Sequence, residues 1–382
     1  MRAVELFAGI GGFRMAADLL RWQTVWANDS SRLACAVYRD RFGPDVLHES
    51  DFHASKGSVP EHDVLTGGFP CQSFSSAGKK EGIRDPRGTL FQLIVDVVQA
   101  RRPRFFVLEN VKRLLTMEAG CHFATILGSL AGLDYTLEWR LLNAMHFGLP
   151  QNRERVVIVG TRAEQPHDAV IRLASIEDFA SLDDRQRELL VEPRRWTSIT
   201  NHRARFPKWG LAAAGRFHGM DLERFHAARQ PMSLASVLEP TVSPDFDFTD
   251  ATLKWVGGNT PVNRFVNGVE ILSNQRGGAR MGYTIFGTRG VAPTLTSTTS
   301  RHYERYRVGE RYRRLTNVEY ARIQGFPDDH CRVAPIYDQY ALYGNAVPPP
   351  LIEWVMGRLT SRGMPLCELS RRAEPTPLDS AR

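Results

Sequence analysis

Short apolar runs alternate with stretches of helical spacing through the first part of the chain. Residues 3–7 read as a strand and 11–20 as the opening of a helix, followed by a strand at 24–27 and a helix at 32–42. Strands at 64–67 and 104–108 flank a helical pattern at 88–100, and 135–142 and 155–159 are strand-like again. Strand and helix alternating at this spacing predict βαβ units, a mostly parallel sheet and an α/β fold. The rhythm fails after about Thr161. From there to about Asp250 the chain is mixed and punctuated by proline, with a charged helical stretch at 181–191. Residues 254–313 are rich in Gly, Thr, Arg and aromatics without a helical period, which predicts irregular β structure and loops in a small separate domain. Helical patterns return at 316–324 and 347–359. The tail beyond Arg362 is polar, bears proline and is expected to fray.

Composition narrows the function less than the pattern narrows the fold. With 382 residues, 42% hydrophobic and 24% charged, the chain can bury one large core and a smaller one. A net charge of +7 points toward an acidic partner, of which nucleic acid is the commonest. Many basic proteins bind nothing anionic, and the preference for arginine over lysine fits a GC-rich genome as well as phosphate or guanine contacts. Five scattered cysteines (Cys35, Cys71, Cys121, Cys331, Cys367) form no C-x-x-C pair, which argues against a disulfide framework and a structural zinc site. The N-terminus runs straight into a strand without a signal-like segment, and no apolar run reaches the length of a membrane span. The expectation is a cytoplasmic protein with no metal and no membrane partner.

Several segments carry chemistry. Phe7-Ala8-Gly9-Ile10-Gly11-Gly12 closes the first strand and opens the first helix, where glycines let the backbone turn and approach a ligand. Alone it signals only some nucleotide-like cofactor. Asp29 ends the second strand, where a carboxylate can accept from ribose hydroxyls, and Asp51 follows a third; each taken alone also reads as a solvated acid. Gly67-Gly68-Phe69-Pro70-Cys71 follows another strand. A lone cysteine is more often a small buried hydrophobe, but here Gly-Gly and Pro build a tight loop at the carboxyl edge of the sheet, where ligands bind. The polar, basic stretch 75–87 fits a loop closing over substrate. Glu109-Asn110 stands at the end of the 104–108 strand, and Arg153 and Arg155 precede the strand at 156–159. Cysteine, glutamate and an arginine pair at successive strand ends can run nucleophilic attack with acid assistance and anion stabilisation.

The ordered series FAGIGG, GGFPCQSFS, ENV, QNRER, RLTNVEYARIQGFP and GNAVPPPL resembles the DNA cytosine-5 methyltransferases of bacterial restriction–modification systems. The resemblance spans 4–160 and about 313–359. It implies a Rossmann-like S-adenosylmethionine-dependent methyltransferase sheet with a smaller, irregular β-rich target-recognition domain. The implied division is 1–253 (catalytic and cofactor-binding, with 162–250 the least defined), 254–339 (target recognition) and 340–382 (returning to the catalytic domain). Cys71 is implied as the nucleophile toward carbon 6 of a flipped-out cytosine, and Glu109 as proton donor to ring nitrogen 3. Asn110 would orient the loop, Arg155 hold the base carbonyl, Arg153 join Arg155 in lowering the thiol pKa, and Pro70 contact the amino group through its carbonyl. Phe7, Ala8, Gly9, Gly11, Gly12, Asp29, Asp51, Phe69, Leu90 and Asn345 would form the cofactor pocket, with Asn345 on the C-terminal helix and S-adenosylhomocysteine as product. Glu5 stands where relatives usually carry Asp, and Ser30 where some carry an aromatic on the adenine.

Lys79, Lys80, Arg84 and Arg87 would meet phosphates of double-stranded DNA. Arg276, Arg280, Arg289 and Arg301, with Arg305 and nearby tyrosines, would supply base and phosphate contacts, and Thr294, in a Thr-Leu element of such domains, would join them on the DNA. The expected protein is a monomeric modification enzyme in bacterial cytoplasm, used at the nucleoid, with a separate cognate endonuclease. A tRNA cytosine-5 methyltransferase, a catalytically silent DNA-binding regulator and a dinucleotide oxidoreductase are the alternatives.

Overall fold

The computed structural model describes residues 1–69, 89–163, 169–222, 225, 228–275, 284–297, 304–366 and 368–371. Ten strands form the main sheet: β1 (Arg2–Leu6), β2 (Gln23–Asp29), β3 (Leu47–Glu49), β4 (Val64–Gly68), β5 (Phe105–Val111), β6 (Tyr135–Asn143), β7 (Glu154–Arg162), β9 (Thr197–Ser198), β10 (Trp209–Ala213) and β11 (Arg216–Met220). Their order is β3-β2-β1-β4-β5-β7-β6-β10-β11-β9. Pairings from β3 through β5 are parallel. The chain leaves β1 for β2 and β3 on one side, then returns to β4 and β5 on the other. The sheet therefore reverses direction of growth beside β1, and ligands in open α/β folds bind at such a switch point, outside the carboxyl ends of the strands.

The central strands are buried on both faces, as the neighbours Ala3 and Val4 of β1 and Phe106 and Val107 of β5, which point to opposite sides, show by their burial. This is why 105–108 of β5 reads as an unbroken apolar run. Helix Gly12–Leu19 packs against helix Pro349–Thr360. A Cβ on Gly12 would fall 2.6 Å from the Val347 carbonyl oxygen, so the close approach needs glycine. At Gly11 (φ 84°), a Cβ would meet the Phe42 ring at 2.3 Å.

Three expectations are corrected. The sheet is parallel only to β5; β7, β6, β10, β11 and β9 pair antiparallel. Between β6 and β7 lies only the three-residue 3-10 helix Ala144–His146, too short for a crossover, so the chain turns back on itself there. Helix Asp250–Gly257 opens the stretch expected to lack one, capped by the Thr249 side chain. The five-stranded small sheet follows: β12 (Thr260–Val266), β13 (Val269–Asn274), β14 (Thr284–Phe286), β15 (Arg305–Val308) and β16 (Arg311–Arg313). Third, the described tail residues 363–366 and 368–371 are docked, not frayed. Met364–Pro365 pairs with strand β8 (Val170–Ile171), and Leu366 and Leu369 are buried beside Trp196 and Trp209. Among the described residues no helix is long and apolar enough to cross a membrane.

Glu5 lies buried inside β1, taking long hydrogen bonds from the Tyr38 hydroxyl (3.2 Å) and the Arg14 backbone N–H (3.3 Å). Burial pushes its carboxyl up to about 8 from an ordinary 4.5. Between those values the folded chain holds a proton that the unfolded chain has released, so stability falls by about 1.4 kcal/mol per pH unit as pH rises. Glu5→Gln should remove that slope. Denaturant unfolding at pH 5.5 and 7.5 should show native protein losing about 2–3 kcal/mol relative to the variant; parallel pH profiles would contradict this.

Candidate active site

A cleft of about 780 Å³ opens at the carboxyl ends of β1, β2, β4 and β5. Its lining brings together Phe7, Ala8, Gly9, Gly12, Asp29, Asp51, Phe69, Leu90, Glu109, Asn110, Arg153, Arg155 and Asn345 from the sequence-predicted set. Gly11 is not in the lining; it packs under the turn instead.

The turn after β1 is tight. Phe7 has φ 55°, a conformation unfavourable for a residue with a side chain, and Gly9 repeats it at φ 55°. The Asp29 carboxylate closes the turn, accepting from the Gly9 N–H at 2.8 Å and from the Ser31 N–H at 2.8 Å. Asp51 caps a short helix through the His53 N–H (2.8 Å). Phe52, which the sequence reading passed over, meets the Phe7 ring edge-on at 5.7 Å and also lines the cleft. A second missed contact lies beneath the turn, where buried His330 places Nε2 2.8 Å from the Ile10 carbonyl oxygen.

Glu109 and Asn110 are inside β5, not after it, because antiparallel pairing with β7 carries the strand on to Val111. Glu109 is opposite Val157 and Val111 opposite Arg155, so Glu109 and Arg155 are diagonal neighbours on one face. Arg155 Nε lies 2.8 Å from Glu109 Oε1, with side chains only 10% and 11% exposed. Burial holds the Glu109 carboxyl above the usual carboxylate range, although Arg155 and then Arg153 pull the other way. A Cβ on Gly68 would sit in ordinary contact with Glu109 Oε2, at 3.4 Å, which places that oxygen over the end of β4. Asn110 donates from Nδ2 to the Phe69 carbonyl at 2.9 Å. It thus pins the backbone at the last described residue before Pro70-Cys71. Pro70 and Cys71 themselves, with Lys79, Lys80, Arg84 and Arg87, lie outside the described residues.

Arg153 is 1% exposed and its terminal nitrogens are taken: Nη1 donates to the Leu295 carbonyl (2.8 Å), Nη2 to those of Gly344 (2.9 Å) and Ala346 (3.0 Å). Asn345 is the last residue of helix Ile336–Asn345, not part of the C-terminal helix Pro349–Thr360. On the small sheet's side, exposed Arg289 is held by buried Glu270 through Nε at 2.7 Å. Thr294 turns inward and donates to the Asn152 carbonyl at 2.6 Å. Arg276, Arg280, Arg301, Tyr283 and Tyr303 lie outside the described residues. Among the described residues no cluster of His, Cys, Asp and Glu is arranged to hold a metal.

This arrangement joins a pocket with two carboxylates and aromatic walls to a buried acid–guanidinium pair, a setting for proton transfer to a planar polar substrate. A sequence model of the family described as C-5 cytosine-specific DNA methylase matches residues 1–361. The chain is 30% identical to the Type II methyltransferase M1.ScrFI of Lactococcus lactis subsp. cremoris, over 94% of this chain and 77% of the relative. It is 31% identical to the Type II methyltransferase M.HpaII of Haemophilus parainfluenzae, over 92% of this chain and 86% of the relative. Among solved structures, Dnmt2 methyltransferase of S. pombe superposes with a TM-score of 0.60 at 16% identity, covering 93% of this chain and 97% of that one. A Spodoptera frugiperda DNMT2 mutant gives 0.61 at 17% identity, covering 94% and 99%. At those identities the structural likeness speaks for the fold.

Proposed function

The chain belongs to the C-5 cytosine-specific DNA methylase family, and from that premise we propose that it methylates carbon 5 of a flipped-out cytosine in a short DNA sequence through a covalent adduct on Cys71. Its class is that of the Type II DNA (cytosine-5) methyltransferases, acting on DNA. The observation that carries the mechanism is the buried Glu109–Arg155 pair, set in one cleft with the glycine turn and beside Gly68, the last residue of β4, the strand that precedes Pro70-Cys71.

The cleft fits S-adenosylmethionine: Asp29 and Asp51 offer carboxylates to hydroxyl and amino donors, and Phe7, Phe52 and Phe69 offer flat apolar surface. When bound, that group supplies the methyl as an electrophilic sulfonium substituent. The chain's own residues make carbon 5 a nucleophile. The Cys71 thiolate forms a bond to cytosine carbon 6, and Glu109 delivers a proton to nitrogen 3, so the ring's electron pair comes to rest on carbon 5 instead of nitrogen. Arg155 holds the ring carbonyl and keeps Glu109 aimed. After carbon 5 is methylated, loss of its proton to water or hydroxide expels the Cys71 thiolate, and nitrogen 3 returns its proton to the Glu109 carboxylate, which restores the neutral aromatic ring and both side chains. The cytosine must leave the duplex to enter, at a cost of a few kcal/mol; Lys79, Lys80, Arg84, Arg87 and the arginines of 254–313 are the proposed phosphate and base contacts. The protein is proposed to act as a monomer, with any cognate endonuclease separate.

Asp29→Ala should weaken S-adenosylhomocysteine binding by about 10- to 100-fold, measured by calorimetry, since the carboxylate both shapes the turn and faces the cleft. Unchanged affinity would remove Asp29 from the pocket. The reading as a whole is tested by offering labelled S-adenosylmethionine with unmethylated plasmid DNA or bulk tRNA. Label in DNA supports it, and label only in tRNA overturns it.

A further inference from the structure

The Gln151-Asn152-Arg153 segment joins three parts of the chain that are far apart in sequence. Residues 292–295, returning from the small sheet, run alongside it. Asn152 N–H donates to the Ala292 carbonyl (2.8 Å), Ala292 N–H to that of Pro150 (2.7 Å), and Leu295 N–H to Gln151 Oε1 (3.0 Å). Gln151 Nε2 donates onward to Gln324 Oε1 (2.6 Å), and Gln324 Nε2 to the Ala346 carbonyl (2.6 Å). Arg153 closes the circuit with its bonds to Leu295, Gly344 and Ala346. The two carbonyls of Gly344 and Ala346 flank Asn345, and all three residues form one wall of the cofactor cleft. The packing leaves no slack, since a Cβ on Gly344 would fall 2.0 Å from the Thr296 carbonyl oxygen.

We propose that Arg153 is a positioning residue, which clamps the Asn345 wall of the cofactor cleft to the segment returning from the small sheet and so sets cofactor affinity. Both Nη atoms are committed to carbonyls, leaving Nε as the one guanidinium nitrogen without a hydrogen-bond partner among the described residues. Arg155, by contrast, points its Nε at Glu109. The two arginines of one motif thus divide the labour, Arg155 toward the base and Arg153 toward the wall. Three divergent carbonyls need a planar fork; a lysine ammonium keeps the charge without the geometry. The inference rests on the reading that this cleft takes S-adenosylmethionine.

The test is calorimetric binding of S-adenosylhomocysteine to native protein, Arg153→Lys and Gln324→Leu, with melting curves to show that each is folded and with steady-state kinetics beside it. Arg153→Lys should raise the dissociation constant at least tenfold and raise KM for S-adenosylmethionine in step. Gln324→Leu, which removes the bonds to the Ala346 carbonyl and from Gln151 Nε2 but leaves those of Arg153, should move both in the same direction by a smaller factor, and stands in if Arg153→Lys does not fold. Dissociation constants within twofold of native, with kcat alone reduced, would overturn the proposal and make Arg153 a direct contact through Nε. Failure of the native protein itself to bind S-adenosylhomocysteine would instead refute the reading of the cleft.

Discussion

Cys71→Ser is expected to lower methyl transfer by at least about 10⁴-fold, roughly 5 kcal/mol of transition-state stabilisation, while S-adenosylhomocysteine still binds. The reason lies in the base. Carbon 5 of an intact cytosine is a poor nucleophile, and only addition at carbon 6 gives it usable electron density. A thiolate is present at a few per cent for an ordinary cysteine at neutral pH and more beside cationic groups, whereas a serine hydroxyl has no comparable anionic fraction. The Asp29 and Asp51 side of the cleft is built from other strands, so cofactor affinity should stay within about threefold of native. A further readout uses DNA carrying 5-fluorocytosine. Fluorine cannot leave carbon 5 as a cation, so the adduct cannot break down, and native protein should gain the mass of the DNA. Turnover by the serine variant at near-native rate would rule out the covalent route.

Glu109→Gln is expected to reduce kcat by about 10²- to 10⁴-fold, the usual share of a positioned proton donor. Burial holds the Glu109 carboxyl above the ordinary range, so its protonated form survives at pH values where an exposed glutamate has ionised. A proton donor with a raised pKa is competent below that pKa and lost as pH rises through it. Native kcat should therefore decline on the alkaline side, and the variant's residual activity should lack that limb. The amide also leaves buried Arg155 without its counter-charge, which destabilises the fold by up to about 3–5 kcal/mol. A melting curve separates this effect from catalysis. A folded variant with kcat within threefold of native would remove Glu109 from proton transfer.

Legibility followed the range of the interactions involved. Helix Arg32–Phe42 stands where its pattern placed it, since Ser31 caps it by accepting from the Ala34 N–H and Gly43 ends it. The glycine turn was readable because a positive φ and a near-contact with Val347 both demand glycine within a few residues of one another. The antiparallel half of the sheet was not. A strand buried on both faces shows the same apolar run in either direction, and β6 and β7 differ from β4 and β5 only in what connects them. The docked tail rests on two leucines, too few to reveal a period. Arg153 shows the limit for the site. Its residue type suggested charge for the thiol, while its partners Leu295 and Gly344 are 142 and 191 positions away. Likewise Thr294 read as a DNA-contacting element, and its hydroxyl is spent on the seam with Asn152.

The most direct measurement is the identity of the methylated base. Unmethylated plasmid DNA treated with the protein and S-adenosylmethionine would be digested to nucleosides for mass spectrometry, and a parallel sample sequenced after bisulfite conversion. The expected product is 5-methylcytosine, with protected cytosines confined to one short sequence. Methyl groups on an exocyclic nitrogen of cytosine or adenine would contradict it, because neither Cys71 addition nor a proton from Glu109 serves that chemistry.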